Sequence, residues 1–141
     1  DWSAALELAI RHRDEPVILV AHSLACLLAC RWTHDTHKAV AGIFMVGVPD
    51  PTGPNFPIQG ASFADIPSGT LGIPSLVIAS RDDPYGSVDS ARARAAAWQC
   101  PCIDIGNAGH INEASNLGSW VYGRQLLSAF AAGARKTVCH K

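Results

Sequence analysis

The run Val17-Ile18-Leu19-Val20-Ala21 constrains the fold of this chain more than any other segment. Apolar residues in unbroken succession, three of them β-branched, do not alternate as a half-solvated strand must. They read as a strand buried on both faces, and such strands belong to parallel sheets covered by helices. Pro16 closes off what precedes it. There, the stretch from Trp2 to Arg13 sets Trp2, Ala5, Leu6, Ala9 and Ile10 on one helical face. Behind the run, Ser23 to Trp32 is rich in Leu and Ala and reads as a helix.

The same alternation continues. Val40 to Val48 is a second buried strand, closed by the breaker Pro49-Asp50-Pro51. Residues 49–73 are rich in proline and glycine and predict a long loop with one helical turn near Ala61 to Asp65. A loop of that length in a compact domain is as a rule functional. Ser75 to Ser80 is the third strand, Val88 to Gln99 a helix, Cys102 to Ile105 a short fourth strand, and Trp120 to Ala132 the last helix. The order is that of an α/β fold with a parallel sheet, one domain over residues 1–134 with a frayed tail at 135–141.

Right-handed crossovers between strands laid down in one direction put their helices on one face of the sheet. The opening and closing helices are then available for the other face, and Val17 to Ala21 is left at an edge. A fully apolar edge strand invites pairing with another chain. The pattern therefore leads to the expectation of a sheet lacking its N-terminal strands, with strand exchange or a homodimer as one consequence.

Composition removes several function classes. Hydrophobic residues make up 48% and charged residues 16%, which leaves little room for disorder. Net charge is −1, and no basic run exceeds Arg135-Lys136, so the electrostatic footprint of a nucleic-acid binder is absent. The longest apolar stretch, Val17 to Cys30, is broken by His22 and Ser23 and is too short for a membrane span. The five cysteines, Cys26, Cys30, Cys100, Cys102 and Cys139, include no C-x-x-C pair and argue against both a disulfide framework and a zinc knuckle. Cys26 and Cys30, four apart on an apolar helix, read as small buried hydrophobes, and a reducing, cytoplasmic setting is expected.

The chemistry centres on Ala21-His22-Ser23-Leu24-Ala25, between a buried strand and a helix. A serine nucleophile on a tight strand-to-helix turn needs very small residues two positions to either side, so that helix and strand approach while the hydroxyl projects. A serine in this place also serves as an ordinary N-cap. Two further groups distinguish these roles. In this fold a triad runs Ser, then Asp or Glu, then His. Asp82-Asp83-Pro84 follows the third strand and Gly109-His110 the fourth, both at carboxyl ends, where open α/β sheets collect their functional groups. Chemistry alone does not separate Asp82 from Asp83. His22 reads as a structural neighbour of Ser23. His12, His34, His37 and His140 read as solvated, with no ligand pattern around the His34/His37 pair. Trp98, Trp120 and Tyr122 read as core or rim aromatics, and no metal or organic cofactor is expected.

Four segments carry a resemblance: Val17 to Leu24, Phe63-Ala64 to Leu71 with its prolines, Pro74 to Ser80 with Asp83-Pro84-Tyr85, and Gly109-His110-Ile111-Asn112. Over about Trp2 to Phe130 they resemble the small, cap-less serine hydrolases related to retinoblastoma-binding protein 9, of the α/β-hydrolase superfamily. The resemblance implies Ser23 as nucleophile, His110 as base and Asp83 as acid, with the Leu24 N–H as one oxyanion donor. It also implies an upstream segment that supplies the second donor. Ala25 departs from the family, which usually has Gly there. The expected activity is hydrolysis of small ester or related acyl substrates through an acyl-enzyme. The alternative is a catalytically weak protein-binding module on a hydrolase scaffold.

Overall fold

The structure is a computed structural model and describes residues 2–35 and 40–138. Its elements are α1 (Trp2–Ile10), β1 (Val17–His22), α2 (Leu24–Asp35), β2 (Val40–Val46), a 3₁₀ turn (Ile58–Phe63), β3 (Ser75–Ala79), α3 (Val88–Trp98), β4 (Cys102–Asp104), a second 3₁₀ turn (Glu113–Ser115) and α4 (Val121–Val138). The four strands form one parallel sheet in the order β1-β2-β3-β4. Every residue of β2 and β3 is buried, as their unbroken apolar runs require.

Alternate side chains build two cores. Ile43, Met45, Val77 and Ala79 pack with Cys26, Leu27 and Cys30 of α2 and with Ala91, Ala95 and Trp98 of α3. Phe44, Val46, Leu76 and Ile78 face Leu126, Leu127 and Phe130 of α4. The Phe44 and Phe130 rings lie 5.8 Å apart. Truncating such a buried phenylalanine to alanine costs about 3–5 kcal/mol. Gly42 makes that packing feasible, because a Cβ there would come within 2.9 Å of the Phe130 ring.

Between β2 and β3 the proline-rich segment takes the place of a crossover helix. Phe56, Phe63, Ile66, Leu71 and Ile73 pack on the α2/α3 core, so all three crossovers use one face. Its helical turn begins at Ile58, earlier than the sequence pattern places it. α3 is capped by Ser87, whose hydroxyl accepts the Ser90 N–H, and ends at Gln99 in the left-handed region.

Two expectations need correction. α1 does not cover the second face: Leu6 and Ile10 pack against Trp32, Val17 and Val40, beside α2. It is also shorter than the pattern, and Trp2 is 72% exposed. Among the described helices α4 is the one that covers the second face, together with loop residues Ile111, Leu117 and Trp120. It runs on to Val138, past the Ala134 at which the sequence reading ends the domain. β1 does pair with β2 alone among the described strands, at the sheet edge. There, Ile18 and the 59%-exposed Val20 line an open groove beside Leu127 and Ala131 of α4. His37, Cys139 and His140 lie outside the described residues. Among the described residues no helix is long and apolar enough to cross a membrane.

Candidate active site

Ser23 stands between β1 and α2 with φ of 56°. For a residue with a Cβ the left-handed region costs about 1–2 kcal/mol, so the turn is held from both sides. The Ser23 N–H donates to the Val46 carbonyl at 3.0 Å, and the Ser23 carbonyl accepts the Cys26 N–H at 2.9 Å. Ala21 is buried, which lets strand and helix approach, whereas Ala25 is exposed and its methyl does not crowd the turn. Leu24 opens α2, and the first N–H groups of a helix have no acceptor within it. The helix N-terminus at the same place favours negative charge.

His110 meets that serine. Its Nε2 lies 2.9 Å from Ser23 Oγ, and its Nδ1 lies 2.9 Å from both carboxylate oxygens of Asp83. A carboxylate only accepts, so Nδ1 carries the proton and Nε2 is left as an acceptor for the serine hydroxyl. The side chains of His110 and Asp83 are 9% and 2% exposed, which strengthens the array by excluding water. Asp83 Oδ1 also accepts the Tyr85 N–H at 2.9 Å, fixing the Asp-Pro turn.

The rest of the shell encloses the imidazole. The rings of His22 and Tyr85 are each 4.6 Å from that of His110. His22 Nε2–H donates to the His110 carbonyl at 2.7 Å, since the carbonyl can only accept. Gly47, with φ of +60°, passes beneath the Asp83–His110 pair. Asp82 faces elsewhere: its Oδ1 accepts the Gly109 N–H at 2.8 Å and the Ser80 hydroxyl at 2.8 Å. Those bonds, the Gly109 amide first and Ser80 second, hold the Asp82 carboxyl below its ordinary value of 3.8.

The structure thus brings Ser23, Asp83, His110 and the start of α2 at Leu24 to one point. Four neighbours were not read from the sequence: Gly47, Ser80, Tyr85 and the contact of His22 with the His110 carbonyl. Gly47 left a signal as a glycine within a strand pattern, and Ser80 and Tyr85 stood in the segments that carry the resemblance without a role of their own. The proline-rich segment reaches the site too. A Cβ on Gly60 would lie 3.0 Å from Leu24 Cδ2, Arg31 Nη1 donates to the Ser62 carbonyl at 2.6 Å, and Asn55 Nδ2 donates to the Pro84 carbonyl at 2.7 Å. A cavity of about 230 Å³ between Val48–Pro51 and α3 does not touch the triad-like array, whereas one of about 520 Å³ borders Tyr85 and His110. Among the described residues no three His, Cys, Asp or Glu side chains are grouped to hold a metal ion.

The family described as serine hydrolase matches residues 1–129. This chain belongs to the serine hydrolase family. The fold is shared with a YdeN-like hydrolase of Pectobacterium atrosepticum at 31% identity and a TM-score of 0.84, covering 94% of this chain and 69% of that one. The ydeN gene product of B. subtilis is similar at 23% identity and a TM-score of 0.77, with 94% and 74% covered. An esterase domain from a Rhodothermus marinus protein has the same fold at 18% identity and a TM-score of 0.69, with 96% and 68% covered. No curated protein matches. As a serine hydrolase of α/β-hydrolase fold, the chain has its parallel sheet flanked by helices as the sequence pattern implies.

Proposed function

We propose that this serine hydrolase cleaves small esters or related acyl compounds through an acyl-enzyme on Ser23. The observation that carries the reading is the hydrogen-bonded line from Ser23 Oγ through His110 to the buried Asp83. His110 Nε2 takes the hydroxyl proton as Ser23 Oγ attacks the acyl carbon. Asp83 holds the imidazole in the tautomer that permits this and stabilises the cation that forms. The Leu24 N–H donates to the oxyanion, a contribution of about 10²–10³ in kcat for one such donor. As the tetrahedral adduct collapses, His110 returns the proton to the leaving oxygen. Water then repeats the sequence and frees the acid, regenerating Ser23.

No side chain outside the array is needed for chemistry, and the imidazole flanks, His22 and Tyr85, remain partly open to solvent. An open site of this kind suits short acyl groups better than long chains, which need an apolar tunnel to repay their desolvation. The preference for esters over amides follows from the leaving group, since an alkoxide needs less help than an amine.

The test is hydrolysis of p-nitrophenyl acetate and of its longer-chain homologues. Turnover well above that of free imidazole, falling with chain length and lost in Ser23→Ala, is the expected result. Activity equal to free imidazole, or unchanged in Ser23→Ala, overturns the proposal.

A further inference from the structure

His110 is flanked on both sides by a residue in the left-handed region, and only Ile111 is strained by it. Gly109 has φ of 56° and Ile111 has φ of 51°. A β-branched residue in the left-handed region is a genuine outlier, and it persists only when the surroundings over-determine it. Three hydrogen bonds from outside the loop hold this stretch: on the Ala108 N–H, the Gly109 N–H and the His110 carbonyl. The last goes to His22. The first two converge on Asp82 and Ser80.

We infer that Asp82 is a positioning residue for His110, acting through the Gly109 amide and the Ser80 hydroxyl without touching the imidazole. This inference rests on the reading of Ser23, His110 and Asp83 as the reacting array. Ser80 directly follows β3 and is 1% exposed. Its hydroxyl accepts the Ala108 N–H at 2.9 Å and donates to Asp82 Oδ1 at 2.8 Å, so the acceptor chosen by its proton is fixed by Asp82. The same Oδ1 accepts the Gly109 N–H at 2.8 Å. One carboxylate oxygen therefore fixes the N–H groups of the two residues before His110, directly and through one buried hydroxyl. The carboxyl's lowered pKa agrees with donors aimed at its ionised form.

The two adjacent aspartates then divide the work. Asp83 orients the ring and Asp82 places the backbone from which the ring hangs. What Asp82 supplies is an acceptor oxygen in a fixed place, and a neutral amide oxygen fills the same place. A misplacement of about 1 Å at a reacting group costs about 10²-fold in rate, while a substrate that binds without His110 is held as before.

The experiment is steady-state hydrolysis of p-nitrophenyl acetate by the full chain, its Asp82→Ala, Asp82→Asn, Ser80→Ala and Ser23→Ala variants, with thermal unfolding followed for each. Asp82→Ala is expected to lower kcat by about 10²-fold with KM kept within about twofold. Asp82→Asn, which retains the acceptor, is expected to recover most of that loss. Ser80→Ala removes one arm and is expected to lower kcat by about tenfold with KM kept, which preserves the readout if Asp82→Ala does not fold. Wild-type kcat in both Asp82→Ala and Ser80→Ala overturns the inference, as does an equal loss in Asp82→Ala and Asp82→Asn, which makes charge the operative property. A rise in KM at unchanged kcat overturns it as well. Ser23→Ala separates the two levels: if it retains activity the underlying array falls, and if it is inactive while Asp82→Ala is unaffected, the positioning role alone falls.

Discussion

A Cβ on Gly47 would stand 3.3 Å from Oδ2 of Asp83 and 3.4 Å from Nδ1 of His110, so the acid and the base meet over a residue without a side chain. Gly47 follows β2, has φ of +60°, and donates its N–H to the Ile78 carbonyl at 3.0 Å. Gly47→Ala must either push the carboxylate off the imidazole or leave the left-handed region and break that bond. The expected outcome is a loss of about 10²-fold in kcat together with about 1–2 kcal/mol of stability, measured by ester hydrolysis and urea unfolding.

Ser23 carries backbone strain of its own, and strain at a reacting residue trades stability for geometry. Ser23→Gly relieves it, whereas Ser23→Ala keeps it. Both variants lose the hydroxyl and both are expected to be inactive. The glycine variant is nonetheless expected to be more stable than the alanine variant by about 1 kcal/mol. Equal unfolding midpoints for the two would show that the turn is not strained.

Asp104 gives a pH dependence. Its carboxyl is held below its ordinary value of 3.8, first by the Gly106 N–H at 2.9 Å and then by Arg81, whose Nε is 2.9 Å away. A carboxyl whose folded value is depressed stabilises the fold above its unfolded value, and that stabilisation is lost as pH falls through the folded value. Asp104→Asn is therefore expected to be less stable than wild type at pH 7, with the gap closing below pH 3.8. Unfolding free energies from pH 7 down to pH 2 check this, and a gap that persists at the acid end contradicts it.

The buried thiols are inert on the same physical grounds. Burial pushes the Cys26 thiol up to about 12 and the Cys100 thiol up to about 11, and it raises Cys30 further still. At pH 8 only about 10⁻⁴ of Cys26 is thiolate. Native protein treated with iodoacetamide is expected to keep its hydrolase activity, and peptide mapping is expected to recover Cys26 and Cys30 unmodified. Inhibition accompanied by alkylation at Cys26 would place a thiol in the chemistry.

Much of this was legible in the residues. The unbroken apolar run at Val40 predicted a strand covered on both faces, and β2 is buried throughout. The run at Val17 carried the same prediction, but β1 lies at the sheet edge with only Ala21 buried and Val20 59% exposed. Ser23 and His110 were legible because chain order and strand ends restrict where a triad can form. The choice of Asp83 over Asp82 came from the family resemblance alone, because periodicity says nothing about which of two adjacent carboxylates turns inward. In space Asp83 lies against the His110 imidazole at the Asp-Pro turn, while Ser80 draws Asp82 the other way. The packing of α1 beside α2 was also hidden, since an amphipathic helix shows that it has an apolar face and not which surface that face meets. Gly47 was visible only as an odd residue in a strand pattern.

Whether Ser23 is a nucleophile activated by His110 on Asp83 is read out by a fluorophosphonate probe followed by peptide mass spectrometry. One adduct is expected, on Ser23, formed by wild type, absent in Ser23→Ala, and slowed by about 10⁴-fold in Asp83→Asn. Labelling that survives in Ser23→Ala, or an adduct mapped to another residue, would contradict that role for Ser23.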